Sequence, residues 1–232
     1  MDARLVQIKL DLVLNKLASE TYPDIECFHK REAINKAQLE WVRRQIHGVN
    51  LTKEGDEMSA MRVDDIQILL KNKVLSISDK GIFAETEELP SDYGWFKTIL
   101  IYGTLENCKD QLMLDVHHIE EANVNEWLSD WSKKPSFEFR QCFYTLVGNT
   151  IRVYTDNEFK VSKVDLLYYK LPRKFDIEGC ENYDGVLGVN SDIEFKDDVA
   201  EIIIDEAASI LAGDIEHTSA YQITSKRKEE NN

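Results

Sequence analysis

Basic residues are in short supply in this sequence. Lys and Arg number 28 against 43 Asp and Glu, so the net charge is −15 and the pI lies near 4.8. A protein that grips nucleic acid by its phosphates needs a positive surface. The charge therefore argues against a dedicated DNA reader, although an acidic protein can enclose DNA without holding it. Unbroken apolar runs are also lacking. Arg4, Lys9, Asp11 and Lys16 interrupt the only apolar N-terminal stretch, which excludes a signal h-region or a membrane span there. The chain is expected to stay in the compartment where it is made, unless it leaves inside a particle. The four cysteines, Cys27, Cys108, Cys142 and Cys180, are scattered and contain no Cys-x-x-Cys pair. That spacing suggests neither a zinc site nor a disulfide framework, and buried free thiols in a reducing cytosol are the expectation.

Catalytic signatures are missing as well. There is no Gly-x-x-x-x-Gly-Lys-Ser/Thr loop, no dinucleotide fingerprint among Gly179, Gly185 and Gly188, and no Gly-x-Ser-x-Gly elbow. His117 and His118 precede Glu120 and Glu121, but adjacent residues of a strand point to opposite faces and could not share one ion without a bend. Cys27 and His29 could share a strand face, yet two ligands do not close a structural zinc site. Asp176-x-Glu178 and Asp192-x-Glu194 lack the glycine and distal glutamate of a calcium loop. Residues 30–47 are basic and helical. A helix-turn-helix reading would bury Trp41 and leave Arg43 and Arg44 exposed to phosphate. Trp127 and Trp131, four residues apart on one expected helix, are read as packing against a sheet. No cofactor is expected.

What is present is a change of period along the chain. With hydrophobic residues at 43% of 232, there is enough for one sizeable core or a main domain with an appendage. Helical spacing predicts helices over 3–19, 30–47 and 58–72, the first apolar on two sides and the last carrying Met58, Met61, Ile66, Leu69 and Leu70. Alternation predicts strands near 74–77, 81–84, 96–102, 111–116, 137–146, 150–154 and 161–169, with a helix at 120–131 and a hairpin turn at Gly148-Asn149. Residues 173–194 read as irregular. A closing helix spans 197–212, with Asp197 and Asp198 suited to the positive end of its dipole. The fold class expected is α+β: a helical bundle (1–72 with 195–213), an inserted mostly antiparallel β region with one helix (73–194), and an extended C-terminal arm (214–232).

Charge is uneven. From Asp176 to Glu206 eleven acids face one base, Lys196, a net of 1 − 11 = −10. Just before, Lys160, Lys163, Lys170, Arg173 and Lys174 face only Asp165. A solvated acidic face explains the run. So does a contact in which one subunit's basic strand meets the next subunit's acidic segment.

Several stretches taken in order resemble one family. They are Lys36-Ala-Gln-Leu-Glu-Trp-Val-Arg-Arg-Gln-Ile-His-Gly48, Leu89-Pro-Ser-Asp-Tyr93, Glu120-Glu-Ala-Asn-Val124, Lys134-Pro-Ser-Phe137, Tyr168-Tyr-Lys-Leu-Pro172, Phe195-Lys-Asp-Asp198 and Asp205-Glu-Ala-Ala-Ser-Ile-Leu-Ala-Gly-Asp-Ile-Glu216. Together they look like the virion structural proteins of crAss-like phages of Bacteroidales, and the order of elements is similar to head–tail adaptor proteins of short-tailed phages. The resemblance implies a non-enzymatic neck-ring or tail-adaptor subunit, made in the bacterial host cytoplasm and carried in the virion. It further implies a dodecameric ring beneath the portal, contacting neighbouring neck or tail proteins, with DNA passing through the lumen unbound and no membrane involved. The alternative class is a phage-encoded nucleic-acid-binding regulator or processing enzyme. Candidate assembly residues are Ile215, Tyr221, Ile223, Lys226, Arg227 and Lys228 in the polar arm. Too little apolar surface is present there for independent folding, so the segment is either a partner-ordered arm or a disordered solubilising tail.

Overall fold

A computed structural model describes residues 1–17, 25–47, 64–105, 111–181 and 185–214. The chain divides into two compact units, one formed by Leu70–Leu171 and the other by the segments that flank it.

The central unit is a sheet of eight strands: β1 (Leu70–Leu75), β2 (Ile77–Asp79), β3 (Phe83–Thr86), β4 (Tyr93–Thr104), β5 (Leu112–His118), β6 (Gln141–Val147), β7 (Thr150–Tyr154) and β8 (Lys160–Lys170). Their spatial order is β1-β8-β4-β5-β6-β7-β3-β2. The first and last strands in that order are separated along the chain by Ser76 alone, so the two edges of the sheet are drawn together and the sheet forms a nearly closed barrel. Register shifts along β4 against β8, between Tyr93 and Trp95, Phe96 and Thr98, and Tyr102 and Gly103, supply the bends that curl it. At Gly94 a side chain would sit 3.0 Å from the Tyr169 carbonyl oxygen, so the first bulge leaves no room for one.

The barrel interior is filled by Leu75, Ile99, Ile101, Leu114, Cys142, Tyr144, Ile151, Val153, Phe159, Val164, Leu166 and Tyr168. All pairings are antiparallel except β5 with β6, which run parallel. Parallel neighbours need a crossover. Here it carries a 3-10 turn (Glu121–Asn123) and α3 (Val124–Ser129). On the side opposite Cys142 and Tyr144, Phe143 and Tyr154 pack with Val124, Trp127 and Leu128 of the crossover. β6 is therefore buried on both faces, which is why Cys142-Phe143-Tyr144-Thr145 reads as a continuous run. The β6–β7 hairpin turns on Gly148 at φ +59°, a backbone conformation open to glycine.

In the flanking unit, α1 (Ala3–Leu17) and α2 (Cys27–His47) each pack chiefly against α4 (Asp197–Asp214). α4 buries Val199, Ala200, Ile203, Ile204, Ala207, Ala208 and Leu211, apolar around most of its circumference, as a central helix must be. Trp41 of α2 meets Phe195 edge-on at 5.0 Å. The Asn35 amide pairs with both backbone groups of Phe175, donating to its carbonyl at 3.0 Å and accepting from its N–H at 2.8 Å.

The expected helical bundle with an inserted, mostly antiparallel β region is overturned. The molecule is mostly a single eight-strand mixed sheet forming a nearly closed barrel, with few helices. The apolar spacing at Ile66, Leu69 and Leu70 suggested a helix through residue 72. Helix instead gives way to a 3-10 turn at Gln67–Leu69, and Leu70 begins β1 against Tyr169. The helix expected over 120–131 ends at Ser129, leaving Trp131 in the turn beyond it. The thiol expectation is corrected too: Cys27 and Cys180 form a disulfide. Cys142 is a free buried thiol, and Cys108 lies outside the described residues.

Candidate functional site

The loop of residues 130–140, between α3 and β6, is held by hydrogen bonds at both ends yet turns two large aromatic rings to solvent. The Asp130 carboxylate accepts from the Ser132 N–H at 3.0 Å and its hydroxyl at 2.8 Å. The Asp130 carbonyl accepts from the N–H groups of Lys133 and Lys134. These Ser132 bonds, with the Lys133 ammonium, hold the Asp130 carboxyl below its ordinary pKa. At the other end Ser136 and Gln141 exchange backbone hydrogen bonds of 2.8 and 2.9 Å. The Gln141 amide reaches back to the Ser132 and Lys133 carbonyls. Phe137 tucks inward, 6.0 Å from Phe159 of the barrel core. Trp131 and Phe139 do the opposite, at 83% and 73% exposed. Beside Phe139, Arg140 sits at φ +54°, a conformation that side-chain-bearing residues adopt at a cost of about 1–3 kcal/mol. Tryptophan, aromatic rings and arginine on a pre-ordered loop are the composition of an interaction epitope.

A second ordered element presents apolar residues outward from the flanking unit. Asp176 bridges to Ser191, and Glu181 to Leu187. The Asp176 carboxylate accepts from the Ile177 N–H at 2.9 Å, the Val189 N–H at 3.1 Å and the Arg31 guanidinium at 3.3 Å. Glu178 and Asn190 hold each other through two bonds, of 2.9 and 3.0 Å. Cys180 is tied to Cys27, with a Cα–Cα distance of 5.8 Å. A side chain at Gly188 would lie 2.5 Å from both the Asp176 carboxylate and the Ile177 carbonyl. The segment so pinned carries Val186, Leu187 and Val189, at 59%, 65% and 75% exposed.

The acidic run from Asp176 to Glu206 does not form one solvated face. Glu206 is buried and accepts from both terminal guanidinium nitrogens of Arg44. Glu201 pairs with Lys9. Asp192 accepts from the Ala3 N–H at the start of α1, and Glu194 from the Arg173 N–H. Several acids thus serve as counter-charges and caps inside their own unit, while Glu178, Glu181 and Asp198 stay exposed.

Other candidates find structural partners. His117 lies tilted against Trp127 and His118 against Tyr144, so the two rings engage different neighbours. Arg44, expected to face solvent, is turned inward to Glu206. Cys27 opens α2 and does not share a strand face with His29. Trp131, expected to pack on the sheet beside Trp127, does not. On the barrel, Glu121 accepts from the Thr145 hydroxyl at 2.5 Å, the Tyr154 hydroxyl at 3.0 Å and Arg152 at 3.1 Å. Burial alone would raise its pKa; those three donors outweigh it and hold the carboxyl below its ordinary value. Arg152 in turn meets Glu85 at 3.2 Å and lies over Phe83. All its charges are partnered, so this cluster reads as a strut across β3, β7 and the crossover.

Among the described residues no three His, Cys, Asp or Glu side chains converge as a metal would require, and no helix is long and apolar enough to cross a membrane. Ile215, Tyr221, Ile223, Lys226, Arg227 and Lys228 lie outside the described residues. No sequence signal separated Trp131 and Phe139 from core aromatics, because the first is exposed where α3 stops at Ser129 and the second because the strand expected from residue 137 begins only at Gln141. No family model matches the chain, and no curated protein matches it.

Proposed function

We propose that this protein is a non-enzymatic assembly subunit of a virion. It serves as a ring or adaptor in the neck of a crAss-like phage, beneath the portal and around the DNA channel. The observation that supports the assembly role is the 130–140 loop, which is pinned from both ends and still exposes Trp131 and Phe139. Large aromatic side chains held on an ordered segment are the residue types that anchor protein interfaces. The neck location and the twelve-fold ring come from the family resemblance. The test is particle mass of the full chain over a wide concentration range, with electron-microscopy class averages. Closed rings of uniform mass are expected, twelve copies each. A monomer at every concentration would overturn the reading, and retention of duplex DNA at physiological salt would favour the regulator class instead.

A further inference from the structure

We propose that the Cys27–Cys180 bridge is a redox latch within the flanking unit. Closed, it fixes the turn around Cys180 to the start of α2. Open, as two thiols, it releases that turn while the rest of the unit stays folded. The latch is independent of the assembly role proposed above. Different bonds hold the base of the segment and its turn. At the base, both backbone groups of Phe175 pair with Asn35 of α2, and the Asp176 carboxylate meets Arg31, also of α2, at 3.3 Å. Phe175 is fully buried. Beyond Asp176 the hydrogen bonds close on the segment itself. The Gly188 N–H donates to the Cys180 carbonyl at 2.7 Å, the Cys180 N–H donates to the Ile177 carbonyl at 3.1 Å, and Glu178 pairs with Asn190. The covalent tie from this turn to α2 is the bridge.

The base brings the two cysteines together without the bridge. Cys27 and Arg31 lie one helical turn apart on the same face of α2, so the Arg31–Asp176 contact presents Cys180 to Cys27. Their Cα–Cα distance of 5.8 Å lets the bond form with the backbone where it stands. Beside Cys180, Gly179 sits at φ +78° with open space around it, which gives the untied turn room to move. Cys27 is half-buried and Cys180 is 2% exposed, so thiol–disulfide exchange enters at Cys27. A small thiolate attacks the Cys27 Sγ, the bridge breaks, and Cys180 leaves as a thiolate that takes up the proton the small thiol lost. A second small thiol attacks the mixed disulfide and frees Cys27. Two small thiols become one disulfide, and the protein bridge becomes two thiols. An oxidised small disulfide reverses the sequence. The state of the latch then sets whether Val186, Leu187 and Val189 are presented on a fixed segment.

The experiment uses the full chain, equilibrated in buffers of reduced or oxidised glutathione and followed by hydrogen exchange with mass spectrometry. On reduction, amides of residues 177–181 and 185–190 should exchange about tenfold faster, together with the first turn of α2. Amides of α4 and of the barrel strands should keep their protection, and oxidised glutathione should restore the slow rates. The double variant Cys27→Ser with Cys180→Ser should show the fast rates in both buffers. Global loss of protection in the reduced wild type would make the bridge a requirement of the fold and overturn the latch. So would equal rates in the two buffers, which would show that the bridge restrains nothing. A double variant that still responds to glutathione would assign the response to another thiol and overturn it as well.

Discussion

Arg44 of α2 meets Glu206 of α4 with both terminal guanidinium nitrogens, one of them at 2.7 Å, and the glutamate is 1% exposed. The pair joins two helices that otherwise pack through alanine, isoleucine and tryptophan. A buried ion pair is weak evidence for stability, because desolvation offsets its attraction, but removing one partner strands a charge. Glu206→Ala should therefore lose about 3–5 kcal/mol in denaturant unfolding. The double variant Glu206→Leu with Arg44→Met should lose much less. A double variant as unstable as the single would show that the pair itself, and not the orphaned charge, sustains the helix contact.

Gly188 faces the Asp176 carboxylate with no room for a methyl group. Gly188→Ala should cost about 1–3 kcal/mol as overpacking and should expose the 176–191 segment to limited proteolysis before the barrel is cut. Equal protease resistance in both proteins would show that the segment absorbs the change.

Tyr144 and Tyr168 are buried in the barrel, and burial pushes each hydroxyl up to about 12. For Tyr168 the bond to Asp92 at 2.8 Å adds to the effect. A tyrosine whose folded pKa stands above its unfolded value of about 10 contributes stability that is intact below pH 10. That stability is lost as pH rises toward the folded value. Alkaline titration should show these two phenols ionising last, and Tyr144→Phe with Tyr168→Phe should remove that late component. Ionisation of all nine tyrosines in one step near pH 10, with the fold intact, would contradict the burial.

Cys142 is buried, and burial, with the nearby Asp115 carboxylate, raises its thiol to about 12. It should resist alkylation at neutral pH until the barrel unfolds. Unfolding without reductant should open Cys142 to the reagent while Cys27 and Cys180 stay protected as one linked peptide pair. Alkylation of Cys27 in unreduced protein would remove the disulfide from this description.

The helices were legible in the sequence where their apolar periods are long: α1, α2 and α4 fall close to where spacing put them, as does the Gly148-Asn149 turn. What could not be read was set by distant parts of the chain. Closure of the sheet depends on Ser76 passing the strand from one edge to the other, and no local pattern encodes that. The continuous apolar run at 142–145 marks a strand covered on both faces, but periodicity cannot say by what. Cys27 and Cys180 are 153 residues apart, a pairing only the fold creates. Arg44 looked like surface charge because its partner lies 162 positions away.

The Cys27–Cys180 bridge brackets the whole of Leu70–Leu171. When the two ends of the chain are pulled apart, load reaches the bridge before it reaches any strand, and the covalent bond carries it past the barrel. The barrel is thus a mechanically bypassed loop: tension stretches only the residues outside 27–180, and the eight-strand sheet stays folded under forces that would otherwise peel β1 from β8 one hydrogen bond at a time.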